Sequence, residues 1–235
     1  MDSSLEQCVK HYREMFAHHD FPDGDAIVRA GEILAPFQHQ LRPLDKTELL
    51  PLYSASGLPC DLVAPRWLCH VLGLRHRCVH LLLIWRNQFR QAMLVLQVRN
   101  WEKDDSPGHL DISVGGHMTT ACQQNDDFVV YREMEEEIGL SANDLMAPLQ
   151  HIGSYDHYSE DLHNNYINHE WRDVYLAELQ THAIHQIHFA DQEVCGLLLY
   201  PLAQVDSLLT QTRIPLASGI KHSLPMCVET LNLMA

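Results

Sequence analysis

The sequence carries no basic surplus. Its 16 lysines and arginines stand against 31 aspartates and glutamates, a formal net charge of −15. A polymer of nucleotides is therefore an improbable ligand, because binding one relies on cations that displace its counterions. Free nucleotides stay open, since metal can bridge their phosphates. The seven cysteines (Cys8, Cys60, Cys69, Cys78, Cys122, Cys195 and Cys227) are odd in number and contain no C-x-x-C pair. Reduced thiols in a cytoplasm are the expectation. No apolar run approaches the ~20 residues of a membrane helix, so no membrane association is expected. The opening M-D-S-S-L-E-Q-C lacks a basic segment followed by an apolar one, and no signal peptide is expected. Internal repeats and low-complexity tracts are absent.

What is present reads as globular: 46% hydrophobic and 20% charged residues over 235 positions, enough for one large domain or one domain with an extension. Residues 1–45 read as helical. Leu5, Cys8, Tyr12 and Met15-Phe16 form a stripe, residues 21–24 a turn, and 26–34 a second helix ended by Pro36. Nothing there carries chemistry, so the segment is expected to pack on the main domain or to form a homodimer contact.

From Glu48 the texture changes to strands at 49–53 and 58–64. A helix follows over 66–72, with Pro65 at its first turn and Gly73 at its end. The continuous apolar run 78–85 predicts a buried strand, and 92–98 its partner. Residues 100–108 form a polar loop. Beyond 140 the expectations are a connection over 142–149, a strand at 151–155 and an exposed loop at 156–165. Strands at 168–179 and 193–202, a helix at 203–209 and a final helix at 223–234 complete the chain.

One stretch, residues 111–140, concentrates the chemistry: D-I-S-V-G-G-H-M-T-T-A-C-Q-Q-N-D-D-F-V-V-Y-R-E-M-E-E-E-I-G-L. It predicts a short strand, a turn at Gly115-Gly116, a loop, and a helix capped by Asp126 or Asp127 and stopped by Gly139. Glu133, Glu136 and Glu137 share one face of that helix. Val130, Met134 and Ile138 point to the opposite side, towards a core. Like charges at i,i+4 cost about 0.2–0.5 kcal/mol per pair in an isolated helix. A hard divalent cation, Mg²⁺ or Mn²⁺, would relieve the repulsion, since carboxylate oxygens are the ligands it prefers. A plain solvated acidic face is the competing reading. Against it stand Arg132, able to hold Glu133 by a charge-assisted bond, and Gly116, where backbone can approach a ligand.

R-E-M-E-E-E-I-G-L resembles the second half of the Nudix box, R-E-U-x-E-E-x-G-U with U aliphatic, at every fixed position. The first half departs: counted from Arg132, the loop holds two residues more than the pattern, and Gln124 stands where the box has Glu. The resemblance implies an α/β Nudix fold, an α/β/α sandwich around a mixed sheet, over 47–235 with residues 1–46 as an N-terminal helical extension. It also implies metal held by Glu133, Glu136, Glu137 and the Gly116 carbonyl. Glu133 or Glu170 would take a proton, and Arg132 would orient Glu133.

A second resemblance lies in E-L-L-P-L-Y-S-A-S-G from Glu48, A-P-R-W-L-C-H-V-L-G-L-R-H-R-C-V-H from Ala64, and P-G-H-L-D-I-S-V-G-G-H from Pro107. These are similar to the isopentenyl diphosphate isomerase branch of the superfamily, over residues 47 to 210. That branch holds a divalent metal on three histidines and two glutamates. His70, His80 and His117 match the histidine positions, with the His70–His80 interval three residues longer than the pattern. Glu170 matches one glutamate, and Asn168 stands where the other belongs. Such a mixed set suits Mn²⁺, Zn²⁺ or Fe²⁺. The isomerase's proton-transferring cysteine is replaced by Gly115, while the box half is filled. Both features point to hydrolysis of a phosphoanhydride in a nucleoside diphosphate derivative or similar small pyrophosphate. Prenyl diphosphate isomerisation and a disabled, metabolite-binding module are the alternatives.

Overall fold

Amphipathic periodicity builds the first helix. In a computed structural model of the chain, α1 (Ser3–Ala17) buries Leu5, Val9, Tyr12 and Phe16, one apolar stripe over four turns. The structure describes residues 3–17, 22–42, 48–103, 105–122, 126–189, 192–211 and 213–234. Phe21 of the expected turn, Gln124, the 46/47 boundary, and the side chains of Cys122 and Asp126 lie outside the described residues.

The chain divides into two units. The first comprises Met1–Cys78, His117–Gln124 and Tyr155–Arg172; the second comprises Val79–Gly116, Asn125–Ser154 and Asp173–Ala235.

In the first unit, α1 is followed by α2 (Gly24–Leu34), whose start is capped by the Asp23 carboxylate accepting from the Asp25 N–H at 3.0 Å. A short α3 (Gln38–Leu41) comes next. The hairpin of β1 (Leu49–Tyr53) and β2 (Pro59–Pro65) is antiparallel, with Leu50 opposite Ala64. Pro65 then caps α4 (Arg66–Leu72), which ends on Gly73 in the left-handed region. Ala26, Ile27, Ala30 and Leu34 from α2 join Trp67, Leu68, Val71 and Leu72 from α4 against the α1 stripe. Each large apolar side chain fully buried there contributes roughly 1.5–3 kcal/mol. The Arg13 Nε donates to the Val71 carbonyl at 2.6 Å, tying α1 to the end of α4.

The division falls within β3 (His76–Arg86). In the second unit β3 pairs antiparallel with β4 (Ala92–Arg99), Leu83 opposite Val95. On β4 lie β5 (Leu110–Asp111), with Asp111 opposite Gln97, and later β9 (Val194–Pro201), with Leu198 opposite Leu96. Leu81 to Ile84 and Leu94 to Leu96 are all buried, as a strand covered on both faces requires. Between them in sequence come β6 (Val114–His117) and α5 (Asp126–Ile138), whose Val130, Met134 and Ile138 are fully buried. Gly139 has φ +69, the left-handed stop expected of it. The chain continues through β7 (Gln150–Asp161) and β8 (Tyr166–Glu178), then α6 (Val205–Gln211) and α7 (Ser218–Met234).

Three expectations shift, the first being the final helix, which begins at Ser218 rather than at 223. Gly115-Gly116 lie inside β6 rather than in a turn. Residues 156–161 continue β7 rather than forming a loop. β7 pairs with β8, which takes up its main-chain bonds, while Asp156, Glu160 and Asp161 face water and His157 is buried. Only residues 162–165 turn. Among the described residues, no helix is long and apolar enough to cross a membrane.

Candidate metal centres

The second unit holds the acidic centre, where the three carboxylates of α5 differ sharply in exposure. Glu136 is open, its side chain 54% exposed; Glu133 is mostly covered at 13%; Glu137 is buried. Helical spacing puts Glu137 one turn beyond Glu133, which carries it under β6. Its Oε2 accepts from the Gly115 N–H at 3.3 Å and lies 3.5 Å from the Gln97 amide nitrogen on β4. Glu133 lies against Gly116. A Cβ at that position would fall 2.0 Å from the Glu133 carboxyl carbon, so only glycine leaves room.

Arg132 holds Glu133 through its Nη2, and its Nε lies 3.8 Å from Glu136 Oε2. Lys103 pairs with Glu193 at the edge of the same centre. Burial pushes the Glu133 carboxyl up to about 7, against the opposing pull of Arg132. Burial likewise raises Glu137 well above the carboxylate range, reinforced by the charges of Glu133 and Glu193 and partly offset by Lys103. A buried carboxyl on a backbone amide and a mostly covered one beside it, both raised chiefly by burial, form an oxygen-donor set suited to a hard divalent cation.

The first unit holds the histidine centre. His70 comes from the last turn of α4, His76 from the start of β3, and His117 from the end of β6. One nitrogen of each lies within 4.8 Å of the others. His70 Nδ1 contacts the Ile167 carbonyl at 3.3 Å, and His76 Nδ1 the Leu74 carbonyl at 2.9 Å. Those carbonyls accept the Nδ1 proton, which leaves each Nε2 with a lone pair. The Nε2 atoms of His70 and His76 are buried with no hydrogen-bond partner. His70 also stacks on Tyr166, centroids 4.6 Å apart.

Glu170 faces this group, its Oε1 3.5 Å from His117 Nε2 and 3.7 Å from His76 Nε2. Alternation along β8 puts Asn168, Glu170 and Arg172 on one face, all three buried. Arg172 Nε donates to Glu170 Oε2 at 2.6 Å, and the Asn168 Oδ1 is buried without a hydrogen bond. Burial pushes Glu170 up, but Arg172, His117 and His76 more than offset it and hold the carboxyl well below the usual range. Burial, then the neighbouring imidazoles and Arg66, lower His70 well below its ordinary value. His117, chiefly through burial, drops to about 4. Neutral imidazoles beside an ionised carboxylate are in the protonation state that metal binding requires.

The structure thus brings Arg132, Glu133, Glu137 and Gly116 together in one unit, with Glu136 at the rim, and His70, His117 and Glu170 together in the other. His80 stands in the second unit, where its Nδ1 lies 2.9 Å from Ser223 Oγ. His76 is the histidine that sequence reading did not single out. Its only signal was strand alternation, which puts His76, Cys78 and His80 on one face without saying which lies nearest His70. Gln97, Lys103 and Glu193 carried no signal.

Comparison with known proteins follows this geometry. Nudix hydrolase 3 of Arabidopsis thaliana is 30% identical over 137 residues, a match covering 56% of this chain and 16% of that protein. The chain therefore spans less than a fifth of the length of that curated relative. Among solved structures, DR0079 from Deinococcus radiodurans is 17% identical with a TM-score of 0.55, over 77% of this chain and 99% of that one, which shows a shared fold. The NUDIX domain of Shewanella oneidensis NrtR, solved with ADP ribose, is 17% identical with a TM-score of 0.49, over 66% of this chain and 86% of its own. The NUDIX domain family matches residues 74–222, more than half of the sequence. With the glutamates of α5 set against a glycine strand, and the box half R-E-M-E-E-E-I-G-L on that helix, the chain belongs to the NUDIX domain family.

Proposed function

We propose that the protein is a divalent-metal-dependent Nudix hydrolase that cleaves a phosphoanhydride bond in a nucleoside diphosphate derivative or a similar small pyrophosphate. The observation that carries this is the pair of carboxyls at the Gly115–Gly116 backbone, Glu137 buried and accepting from the Gly115 N–H, Glu133 mostly covered and filling the space over Gly116. Such a pair is costly without a cation. Glu133, Glu136 and Glu137, with the Gly116 carbonyl, would hold Mg²⁺ or Mn²⁺. When bound, the ion neutralises pyrophosphate oxygens and makes water more acidic.

The remaining work falls to side chains. Water attacks phosphorus, the bridging P–O bond breaks, the leaving phosphate takes the electron pair, and a proton passes to a base. Support for Glu133 as that base is its position over Gly116, where Arg132 holds its carboxyl in place. Glu170, held ionised by Arg172, is the weaker base and suits the histidine centre better. Arg132 positions Glu133 by direct contact. Residues 47–235 form the Nudix domain and residues 1–46 an extension, whose α1 packs on α4, the helix that carries His70. The protein acts on small diphosphates in the cytoplasm, without membrane or nucleic-acid polymer, and residues 1–46 also offer a homodimer contact.

The isomerase-like branch is the second reading, favoured by the histidine centre. His70, His117 and Glu170, with His76 in the place expected of His80, would hold Mn²⁺, Zn²⁺ or Fe²⁺ there. Against isomerisation stands Gly115, which offers no thiol to move a proton at carbon.

Chromatographic product analysis over nucleoside diphosphates, dinucleotides, nucleotide sugars and isopentenyl diphosphate, with Mg²⁺ and with Mn²⁺, tests both readings: cleaved phosphates mark the hydrolase, and a double-bond isomer of intact isopentenyl diphosphate marks the isomerase. Glu136→Gln, at the exposed ligand, should stay folded and lose most turnover. Full activity in that variant would overturn the metal assignment.

A further inference from the structure

Trp101 is held out of the protein by a stapled loop. The residue is 74% exposed, and the described residues on either side of it are hydrogen-bonded. Asn100, just before it, accepts the Glu102 N–H on its side-chain oxygen at 3.0 Å. The Asn100 amide nitrogen donates to the Gln192 carbonyl at 2.6 Å, and its main-chain N–H to the Glu193 carbonyl at 2.9 Å. On the far side of the loop, Arg99 clamps the Asp105 carbonyl through Nε and Nη2 and reaches Asp111 through Nη1 at 3.1 Å. The indole's benzenoid ring rests against Gly108. A Cβ at that glycine would lie 2.4 Å from Trp101 Cζ3, and its φ of +69 also favours glycine. One part of the ring is thus seated on backbone while most of it faces water.

The place of the loop gives the exposed ring a purpose. Four residues before Trp101, on β4, the Gln97 amide nitrogen lies 3.5 Å from Glu137 Oε2, and two residues after it Lys103 pairs with Glu193. Trp101 therefore lies just past the end of the strand whose Gln97 reaches the acidic centre. An open aromatic face held beside a diphosphate site is the arrangement that stacks a planar ring joined to the diphosphate.

We propose that Trp101 is a stacking platform for the nucleobase of a nucleoside diphosphate substrate whose pyrophosphate lies at Glu133 and Glu137. This rests on the reading of the acidic centre given above, and deepens it. It makes Trp101 a specificity-determining residue that separates nucleotides from base-free pyrophosphates. Because every base has a π-face, discrimination among the bases themselves is weak.

Calorimetric titration tests it, using the uncleavable methylene analogues of ADP and UDP beside methylenediphosphonate, which has no base, in Mg²⁺. Trp101→Ala should weaken both nucleotide analogues about tenfold and leave methylenediphosphonate within about twofold, as loss of one base–aromatic stack predicts. Trp101→Phe should restore most of the nucleotide affinity. Wild-type nucleotide affinity in Trp101→Ala, or a proportionate loss of all three ligands, would overturn the platform while leaving the acidic centre intact. If the wild-type protein binds none of the three, the reading of the acidic centre fails and the platform with it.

Discussion

The carboxyl group of Glu133 occupies the space that a side chain at Gly116 would need: an added Cβ would meet the Glu133 carboxyl carbon at 2.0 Å and its Oε1 at 2.4 Å. Gly116→Ala must therefore displace Glu133, together with Arg132, which holds it. Overpacking of this kind costs roughly 1–3 kcal/mol, and in a chain of this size each kcal/mol lowers the melting temperature by about 2–4 °C. We expect a folded protein with slightly lowered stability and metal-dependent turnover reduced at least about a hundredfold, since misplacement by an ångström costs that much. Circular dichroism and a phosphate-release assay check both halves.

Glu137 has the opposite balance. Its buried carboxyl accepts only long bonds from Gly115 and Gln97, and Glu133 and Glu193 add like charge. Glu137→Gln keeps the shape and an acceptor oxygen but removes the buried charge. The metal-free variant should melt a few degrees above the metal-free parent, while turnover falls to background. A variant that melts lower than its parent would show that the carboxylate is not a source of strain.

A raised carboxyl makes the metal-free protein sensitive to pH. Folded Glu133 titrates at about 7 against an ordinary 4.5, so the native state retains a proton that the unfolded chain has released. Stability on this account is full below about 4.5 and is lost as pH rises through about 7; at about 1.4 kcal/mol per pH unit the loss is on the order of 3 kcal/mol. Glu170 works the other way, its depressed value removing stability only as pH falls below the ordinary carboxylate range. Between pH 5 and 8 the melting temperature of the metal-free protein should fall more steeply than that of Glu133→Gln. Saturating Mg²⁺ should flatten the difference. Parallel slopes for the two proteins would remove Glu133 from this role.

His76 and His70 should count equally at the histidine centre. Each offers a buried Nε2 with no hydrogen bond and has its Nδ1 fixed by a backbone carbonyl. We expect His76→Ala and His70→Ala each to weaken Mn²⁺ or Zn²⁺ at this centre by about ten- to a hundredfold, read by competition with a chromogenic chelator. Wild-type affinity in His76→Ala would return the choice to His80.

Much of the fold could be read from sequence because its signals are local. The stripe of Leu5, Tyr12 and Phe16 (completed by Val9 where the sequence suggested Cys8), the buried triplet Val130, Met134 and Ile138, and the stop at Gly139 each depend on residues within a few turns of one another. The apolar run of β3 announced a strand covered on both sides, and R-E-M-E-E-E-I-G-L announced its own helix. Where periodicity was weak, reading went astray. The polar residues of β7 looked like a loop, and their strand exists only because β8 lies alongside to take up its main-chain bonds.

The candidate sites divide the same way. Spacing alone determined that Glu133, Glu136 and Glu137 share a helix face, and that Asn168, Glu170 and Arg172 share a strand face, since both follow from residues per turn and from pleating. Tertiary structure decided that Glu137 is buried while Glu136 is open, that His76 joins His70 and His117, and that Trp101 is propped on Gly108. Those outcomes depend on which distant segments pack together and how deep each side chain then lies. Burial and convergence are properties of the packed chain, and no run of neighbouring residues encodes them by itself.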